Sequence, residues 1–283
     1  MFPLFHIFNR TISIYTIMSL IGVLVCLLTA YRLAKNNGLD EIEMLYVSLF
    51  SFGAVAIGGA LMYGITQFEG LALLLKNVFT LNFASFNDFL DQAKIVFGGS
   101  VFYGGLVGAI LTILFYCRKK GLSNRYLDVA AICFPLFHFF GRIGCFLGGC
   151  CYGIESKFGV VYHYSPAPGA NGVSRFPVQL FEAVFNLGLC ILFYTLFRKK
   201  KLQGSLIYVY FYAYPVFRFA DEFLRGDAYR GILWGLSTSQ WISIVLVVIN
   251  TILLLRKAVK NGSNEPEQEE SPKTLDRESA QMV

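Results

Sequence analysis

Two arginines stand where arginine is expensive. Arg142 lies within the apolar run 127–147, four residues after His138, so the two share a helical face. Arg218 lies within the run 205–224. There Tyr210, Tyr214, Arg218 and Glu222 recur at four-residue steps, and Arg225 and Asp227 follow. Ionisable groups inside membrane-length apolar helices are costly, which makes each a functional candidate. The planar donor fork of arginine suits phosphate. Two readings stand for each. Arg142 either faces an anion in a cavity or snorkels to the membrane surface. Arg218 either pairs with Glu222 as a tie between helices or is oriented by Glu222 as a second arginine for the same anion.

Other polar groups occupy neighbouring runs. Gln179, Glu182 and Asn186 have i, i+3, i+7 spacing and share one face at the start of 178–197, where interhelical hydrogen bonding is the plain reading. The run 95–117 is crowded with glycine around Tyr103-Gly104-Gly105, which serves either tight helix packing or the wall of a lipid head-group pocket. Of seven cysteines, Cys26, Cys117, Cys133 and Cys190 sit in apolar surroundings and read as packing residues. Cys145, Cys150 and Cys151 gather at the glycine-rich end of 127–147. A Cys145–Cys150 or Cys145–Cys151 disulfide is expected there. In a continuous helix, residues five apart are separated by about 7.5 Å along the axis. That exceeds the roughly 4.4–6.8 Å Cα separation of a disulfide, so the bridge requires a break near Gly148-Gly149. Zinc would need a fourth ligand, and His163 has no recognisable spacing for it. Inert thiols are the third reading.

These residues must be carried by membrane helices. The 283 residues are 55% hydrophobic and 15% charged, against about 25% charged in soluble domains. Seven apolar runs, 12–33, 44–66, 95–117, 127–147, 178–197, 205–224 and 238–256, are each long enough to cross about 30 Å of hydrocarbon. The first is expected to be a retained helix, because no basic segment precedes it and no small-residue cleavage site follows. The stretch 67–94 is broken by Lys76, Asn77, Asn82 and Asn87 and reads as an arm lying on the membrane.

Arg32, Lys35, Arg118, Lys119, Lys120, Arg125, Arg198, Lys199, Lys200, Lys201, Arg256, Lys257 and Lys260 fall on one side of the runs. Arg10, Lys76, Lys94, Lys157, Arg175, Arg225 and Arg230 fall on the other. This asymmetry puts the N-terminus outside and the C-terminus in the cytoplasm. It also accounts for the net charge of +6 without a nucleic-acid partner. Residues 1–260 read as one transmembrane domain and 261–283 as a disordered polar cytoplasmic tail.

Taken together the motifs resemble the prolipoprotein diacylglyceryl transferase family over about 12–256. The family's His-Gly-Gly-Leu-Ile-Gly is similar to Tyr103-Gly104-Gly105-Leu106-Val107-Gly108. Its Gly-Arg-Ile-Gly-Asn-Phe resembles Gly141-Arg142-Ile143-Gly144-Cys145-Phe146, and its Pro-Ser-Gln-Leu-Tyr-Glu resembles Pro177 through Glu182. Its Tyr-x-x-x-Arg-x-x-x-Glu-Phe-x-Arg is similar to Tyr214 through Arg225, and its Ser-x-Gly-Gln to Ser237 through Gln240. The resemblance implies an all-α polytopic fold of about seven transmembrane helices around a central lipid-substrate cavity, in the inner membrane of a bacterium.

The implied activity is transfer of the diacylglyceryl group of phosphatidylglycerol to the lipobox cysteine thiol of a prolipoprotein, releasing glycerol 1-phosphate. Its partners are phosphatidylglycerol, prolipoprotein signal peptides and membrane lipid; it needs no cofactor or metal, and the chain is expected as a monomer. The expected catalytic residues are Arg142, Arg218, Tyr103 and His138. The expected substrate-binding residues are Tyr15, Gly104, Gly105, Cys145, Gly153, Gln179, Glu182, Tyr214, Glu222 and Arg225.

Tyr103 and Cys145 depart from the family's His and Asn. A phenol with a pKa near 10 is a poor base. Either Tyr103 mainly orients the substrate, or His138 replaces the missing base, or the acceptor thiol ionises on its own beside the two arginines. Two other functions compete: a related phospholipid-consuming transferase with another acceptor, such as a glycan, and a transporter or scaffold. No repeated halves support a transporter.

Overall fold

The computed structural model describes residues 4–7, 10–80, 82–99, 101–227 and 232–262. Arg230 and residues 263–283, which make up nearly all of the expected tail, lie outside the described residues. Among those described are nine α-helices: α1 (Ile14–Asn36), α2 (Glu41–Thr66), α3 (Phe68–Thr80), α4 (Phe86–Phe97), α5 (Phe102–Lys120), α6 (Arg125–Gly148), α7 (Val178–Arg198), α8 (Leu206–Asp221) and α9 (Thr238–Gly262). Three short antiparallel ribbons accompany them. They pair β1 (Leu4–Ile7) with β2 (Arg10–Ser13), β3 (Glu155–Val161) with β4 (Ser174–Arg175), and β5 (Ile232–Leu233) with β6 (Leu236–Ser237).

Five of these helices, α1, α2, α6, α7 and α9, are long and apolar enough to cross a membrane. Their outward faces carry exposed Leu, Ile, Val and Phe, the surface that a lipid solvent calls for. Two expected runs form shorter helices. The run 95–117 splits because α4 ends at Phe97 and α5 begins at Phe102. At the break, a Cβ on Gly99 would stand 2.4 Å from the Tyr63 ring. The run 205–224 yields the 16-residue α8, continued by a single 3-10 turn, Glu222–Leu224. The arm between α2 and α5 is a pair of helices, α3 and α4, tied by the Asn77 amide donating to Gln92 Oε1 at 3.0 Å. Asn77, which interrupts the apolar pattern, is thus used within the arm.

Close approach of backbones holds α2 against α5. A Cβ on Gly104 would lie 2.3 Å from the Gly58 carbonyl oxygen, and one on Gly108 would lie 2.5 Å from that of Ala54. Only glycine permits this contact. On the other side, α6 packs between α1 and α7, where Gly22 meets Phe140 and Gly144 meets Tyr15 and Met18. Its lower part shares a core with α2 and α8, built around Met44, Val47, Val129, Ile132, Leu206 and Tyr210.

The basic segments converge on one end of this bundle. Arg125 Nη1 donates to the Asn37 carbonyl at 3.1 Å, and Lys120 pairs with Glu43 at 3.0 Å. Lys257 donates to Ser205 Oγ at 3.0 Å. At the same end the fully buried Asp128 carboxylate accepts from the backbone N–H groups of Gly204 at 2.5 Å and Leu206 at 3.0 Å. It therefore caps the start of α8 from a different helix, supplying acceptors that the helix itself lacks. Asp128→Ala leaves both N–H groups unpaired, at about 1–3 kcal/mol each. We expect the thermal unfolding midpoint in detergent to drop by about 5–15 °C. An unchanged midpoint would show that this cap does not hold the turn.

Candidate functional site

The opposite end of the bundle contains a polar cavity of about 350 Å³. Its walls come from the starts of α1, α5 and α9, from the end of α6, and from the last turn of α8 with the loop that follows. Tyr15, Tyr103, His138, Arg142, Cys145, Arg218 and Arg225 all line it, together with Cys151, Asp227 and Ser239. Arg142 and Arg218 thus face a common space, although they lie on different helices. Tyr15, Cys145 and Cys151 also border an adjoining, more apolar cavity of about 460 Å³ that reaches down to Gly105, Phe134 and Tyr210.

Glu182 on α7 organises the α6 side. Its carboxylate lies 2.9 Å from Arg142 Nε and 3.2 Å from His138 Nε2, and it accepts from the Tyr214 hydroxyl at 3.3 Å. Only 1% of Glu182 is exposed, so the charge is buried with its partners around it. Three helices, α6, α7 and α8, meet at this one carboxylate. The His138 ring also lies tilted against that of Tyr214, with centroids 4.9 Å apart.

Arg218 is held on its own helix. Its Nη1 lies 3.1 Å from Asp221 Oδ2 and its Nη2 lies 2.5 Å from Glu222 Oε2. Nη2 also donates to Ser239 Oγ at 3.3 Å. Ser239 is placed by a capping box at the start of α9. There Gln240 N donates to Ser237 Oγ at 3.2 Å and Ser237 N donates to Gln240 Oε1 at 2.9 Å. Arg225 makes a bidentate pair with Asp227, at 2.8 and 2.6 Å. Each arginine therefore already holds a carboxylate. A guanidinium has five donors, so these pairs fix the plane of each fork and leave further N–H groups for an anion in the cavity.

The other expected residues fall elsewhere. Gly104 is packed against α2 and does not line either cavity, so close packing accounts for it. Gly105 also rests on α2, with a would-be Cβ 2.9 Å from the Val55 carbonyl oxygen, and borders only the apolar cavity. Gly153 is pressed between the Phe176 and Leu224 carbonyls and bridges to Arg225, a fit that shapes the wall from behind. Gln179 donates to the Cys150 carbonyl at 2.7 Å and to the Tyr162 hydroxyl at 3.2 Å, which anchors the outer loop. Glu182, Tyr214 and Glu222 act on the arginines and His138 rather than on the polar cavity surface. Tyr103 donates its hydroxyl to the Ser239 carbonyl at 3.4 Å. Asp221 was not singled out from the sequence. Its signal is a third acidic position three residues after Arg218.

The cysteine expectation is corrected. The helix break required for a bridge is present: α6 stops at Gly148 and Gly149 turns left-handed at φ 75°. Cys145, Cys150 and Cys151 are nevertheless free thiols. All three sulfur atoms lie within 4.8 Å of one another, so no single pair is selected. In the loop, the Cys151 thiol is held well below its ordinary range by hydrogen bonds from Cys145 and Cys150, and by the facing charges of Arg225 and Arg142.

A bundle of long apolar helices with its charges turned inward around a cavity defines a multi-pass membrane protein with an anion-ready internal site. The chain belongs to the prolipoprotein diacylglyceryl transferase family, whose family model matches residues 3–256. It is similar to the phosphatidylglycerol–prolipoprotein diacylglyceryl transferase of Clostridium tetani, at 31% identity over 249 residues, covering 87% of this chain and 93% of the relative. The second such enzyme of Clostridium perfringens is 34% identical over 256 residues, covering 88% and 92%. That of Campylobacter hominis is 30% identical over 271 residues, covering 92% of each.

Removing Glu182 tests the tie. Glu182→Ala strands Arg142 and His138 in a buried setting, at a cost of about 3–5 kcal/mol, whereas Glu182→Gln keeps polar contacts and should cost less. Thermal unfolding of both variants in detergent checks this. Losses of under about 1 kcal/mol in each would mean that Glu182 does not join the helices.

Proposed function

We propose that this chain transfers the diacylglyceryl group of phosphatidylglycerol to the cysteine thiol of a prolipoprotein. The observation that carries this reading is the placement of Arg142 and Arg218 on one cavity, in a chain of this family. The acceptor sulfur attacks the glycerol carbon that bears the phosphate ester. The carbon–oxygen bond breaks, and glycerol 1-phosphate departs with the electron pair. Arg142 and Arg218 hold the phosphate and neutralise the charge gathering on the leaving oxygen, a preorganised electrostatic role. Arg225 contributes to the same field.

His138 takes the thiol proton, and Glu182 at 3.2 Å stabilises the imidazolium that forms. Tyr103 already donates its hydroxyl to Ser239 and positions substrate rather than removing a proton. The adjoining apolar cavity accommodates acyl chain.

In this reading seven segments cross the bacterial inner membrane, with α5 and α8 completing the five long helices. Residues 1–260 form the transmembrane domain and the polar tail lies in the cytoplasm. The N-terminus faces outward, because the basic segments gather at the end opposite the cavity. Reporter fusions after Lys120 and Lys200 should read cytoplasm, and one within 155–172 should read outside. A cytoplasmic signal from 155–172 would reverse the orientation.

Arg218→Lys should lose more than about tenfold in activity, because an ammonium cannot reproduce the planar fork. His138→Ala should impair turnover more than Tyr103→Phe. The assay is conversion of a prolipoprotein by purified protein with phosphatidylglycerol, backed by complementation of a strain depleted of its own transferase. Full activity of Arg142→Ala would overturn the mechanism.

A further inference from the structure

The three cysteines at the cavity rim have no part in the scheme above, yet the fold spends unusual geometry on bringing them together. After α6 ends, Cys150 N donates back to the Cys145 carbonyl at 3.2 Å, while Gly149 and then Cys151 adopt positive φ, 75° and 56°. A non-glycine residue in that conformation costs about 1–3 kcal/mol and persists only where its surroundings fix it. Here they do. Gln179 holds the Cys150 carbonyl at 2.7 Å, and Ser165 Oγ donates to the Gly149 carbonyl at 2.9 Å. The result is three sulfurs within 4.8 Å of one another, with Cys145 buried and Cys150 and Cys151 half-buried.

This triangle has the size of a trithiolate metal site. Metal–sulfur bonds of about 2.3 Å place three ligands about 3.8–4.0 Å apart, so closure on an ion needs shifts below about 1 Å. An all-sulfur donor set selects a soft, thiolate-seeking d10 cation of the zinc(II) class. Charge favours it as well. Three thiolates around a divalent ion carry one net negative charge, and Cys145 and Cys151 share their cavity with Arg142, Arg218 and Arg225. Three protein ligands around zinc leave a fourth position, the arrangement that binds substrate. The cavity shared with the arginines is the space next to that position.

We propose that Cys145, Cys150 and Cys151 bind a zinc-class cation whose open fourth position takes the acceptor thiol as a thiolate. This inference rests on the transferase reading and deepens it. A thiol is deprotonated on coordination, so the acceptor releases its proton to water as the metal–sulfur bond forms. The bound sulfur then attacks the glycerol carbon, the carbon–oxygen bond breaks toward the arginine-held phosphate, and the neutral thioether leaves the metal. No electron transfer is involved. The site lies where this chain departs from the family pattern, with Cys145 in place of an asparagine and Tyr103 in place of a histidine, so it supplies a second means of thiol activation beside His138.

The test uses the full chain in detergent, stripped with chelator and titrated with cadmium as a spectroscopic probe for zinc. One equivalent should bind and give thiolate-to-cadmium charge-transfer absorption. A lipobox peptide should raise that absorption by about one third, as four sulfurs replace three. The same peptide with serine for cysteine should leave it unchanged. Cys150→Ser should weaken binding at least tenfold. Should that variant misfold, protection of the three thiols from alkylation by zinc in the wild-type chain reads the same contact. Any of four results overturns the inference: equal cadmium binding by wild type and a Cys145→Ser, Cys150→Ser, Cys151→Ser variant; no response to the peptide thiol; a disulfide among the three; or full transfer activity after metal removal. The absorption is read without lipid or turnover. A chain that binds cadmium and peptide thiol yet transfers nothing would therefore overturn the transferase reading and leave this one standing.

Discussion

The structure depends on one buried carboxylate. Glu182 stands on α7, and Arg142 and His138 of α6 and Tyr214 of α8 all close on it. In a bilayer no hydrophobic force draws helices together, since lipid tails are as apolar as the helix faces. Polar contacts and small-residue packing must supply the specificity. A lone charge at this depth would be prohibitive, and a charge with three partners becomes the reason the helices have one arrangement. The same contact sets the plane of Arg142 and the orientation of the His138 ring, so cohesion and chemistry draw on a single group.

The remaining arginines follow this pattern with different partners. Arg218 is held by Asp221 at the end of its own helix and Glu222 in the turn that follows, and Arg225 by Asp227 two residues on. Three cations with their own counter-ions allow the cavity to exist without substrate, because no guanidinium waits unpaired in a low-dielectric space. In the proposed reading, an arriving phosphate meets forks already oriented, and the donors not used by carboxylate become its own. Loss of side-chain freedom, which would otherwise oppose binding, has been met during folding.

Much of this was legible in the sequence because membrane helices carry few charges. Arg142, His138, Arg218 and Glu182 stand out in runs of Phe, Leu and Val, and the Lys and Arg clusters mark the opposite end by simple position. Less legible was anything decided by contact across helices. Gly104 and Gly105 suggested a pocket wall as readily as a packing surface, and only the Gly58 and Val55 carbonyls facing them choose between the two. Asp128 gave no sign that it would cap α8 from a distance of more than seventy residues along the chain. The helix break at Gly148-Gly149 was legible, but spacing alone does not show that the turn there gathers all three sulfurs at similar distances, so that no single pair is selected.

The shortness of α8 has a consequence for how a lipid reaches the site. At 16 residues the helix rises about 24 Å, less than the roughly 30 Å of hydrocarbon. Its start lies at the basic end, beside Lys257 and Asp128, and its last turn, which carries Arg218, is continued by the 3-10 turn Glu222–Leu224, so the guanidinium stands inside the bundle before its far end. In the proposed transferase a lipid phosphate reaches these guanidinium groups while its chains stay in hydrocarbon. Drawing those chains into water would cost about 0.8 kcal/mol for every methylene exposed. An arginine set within a short helix, before the end of its last turn, thus lets a phosphate be held while the acyl chains remain in apolar surroundings.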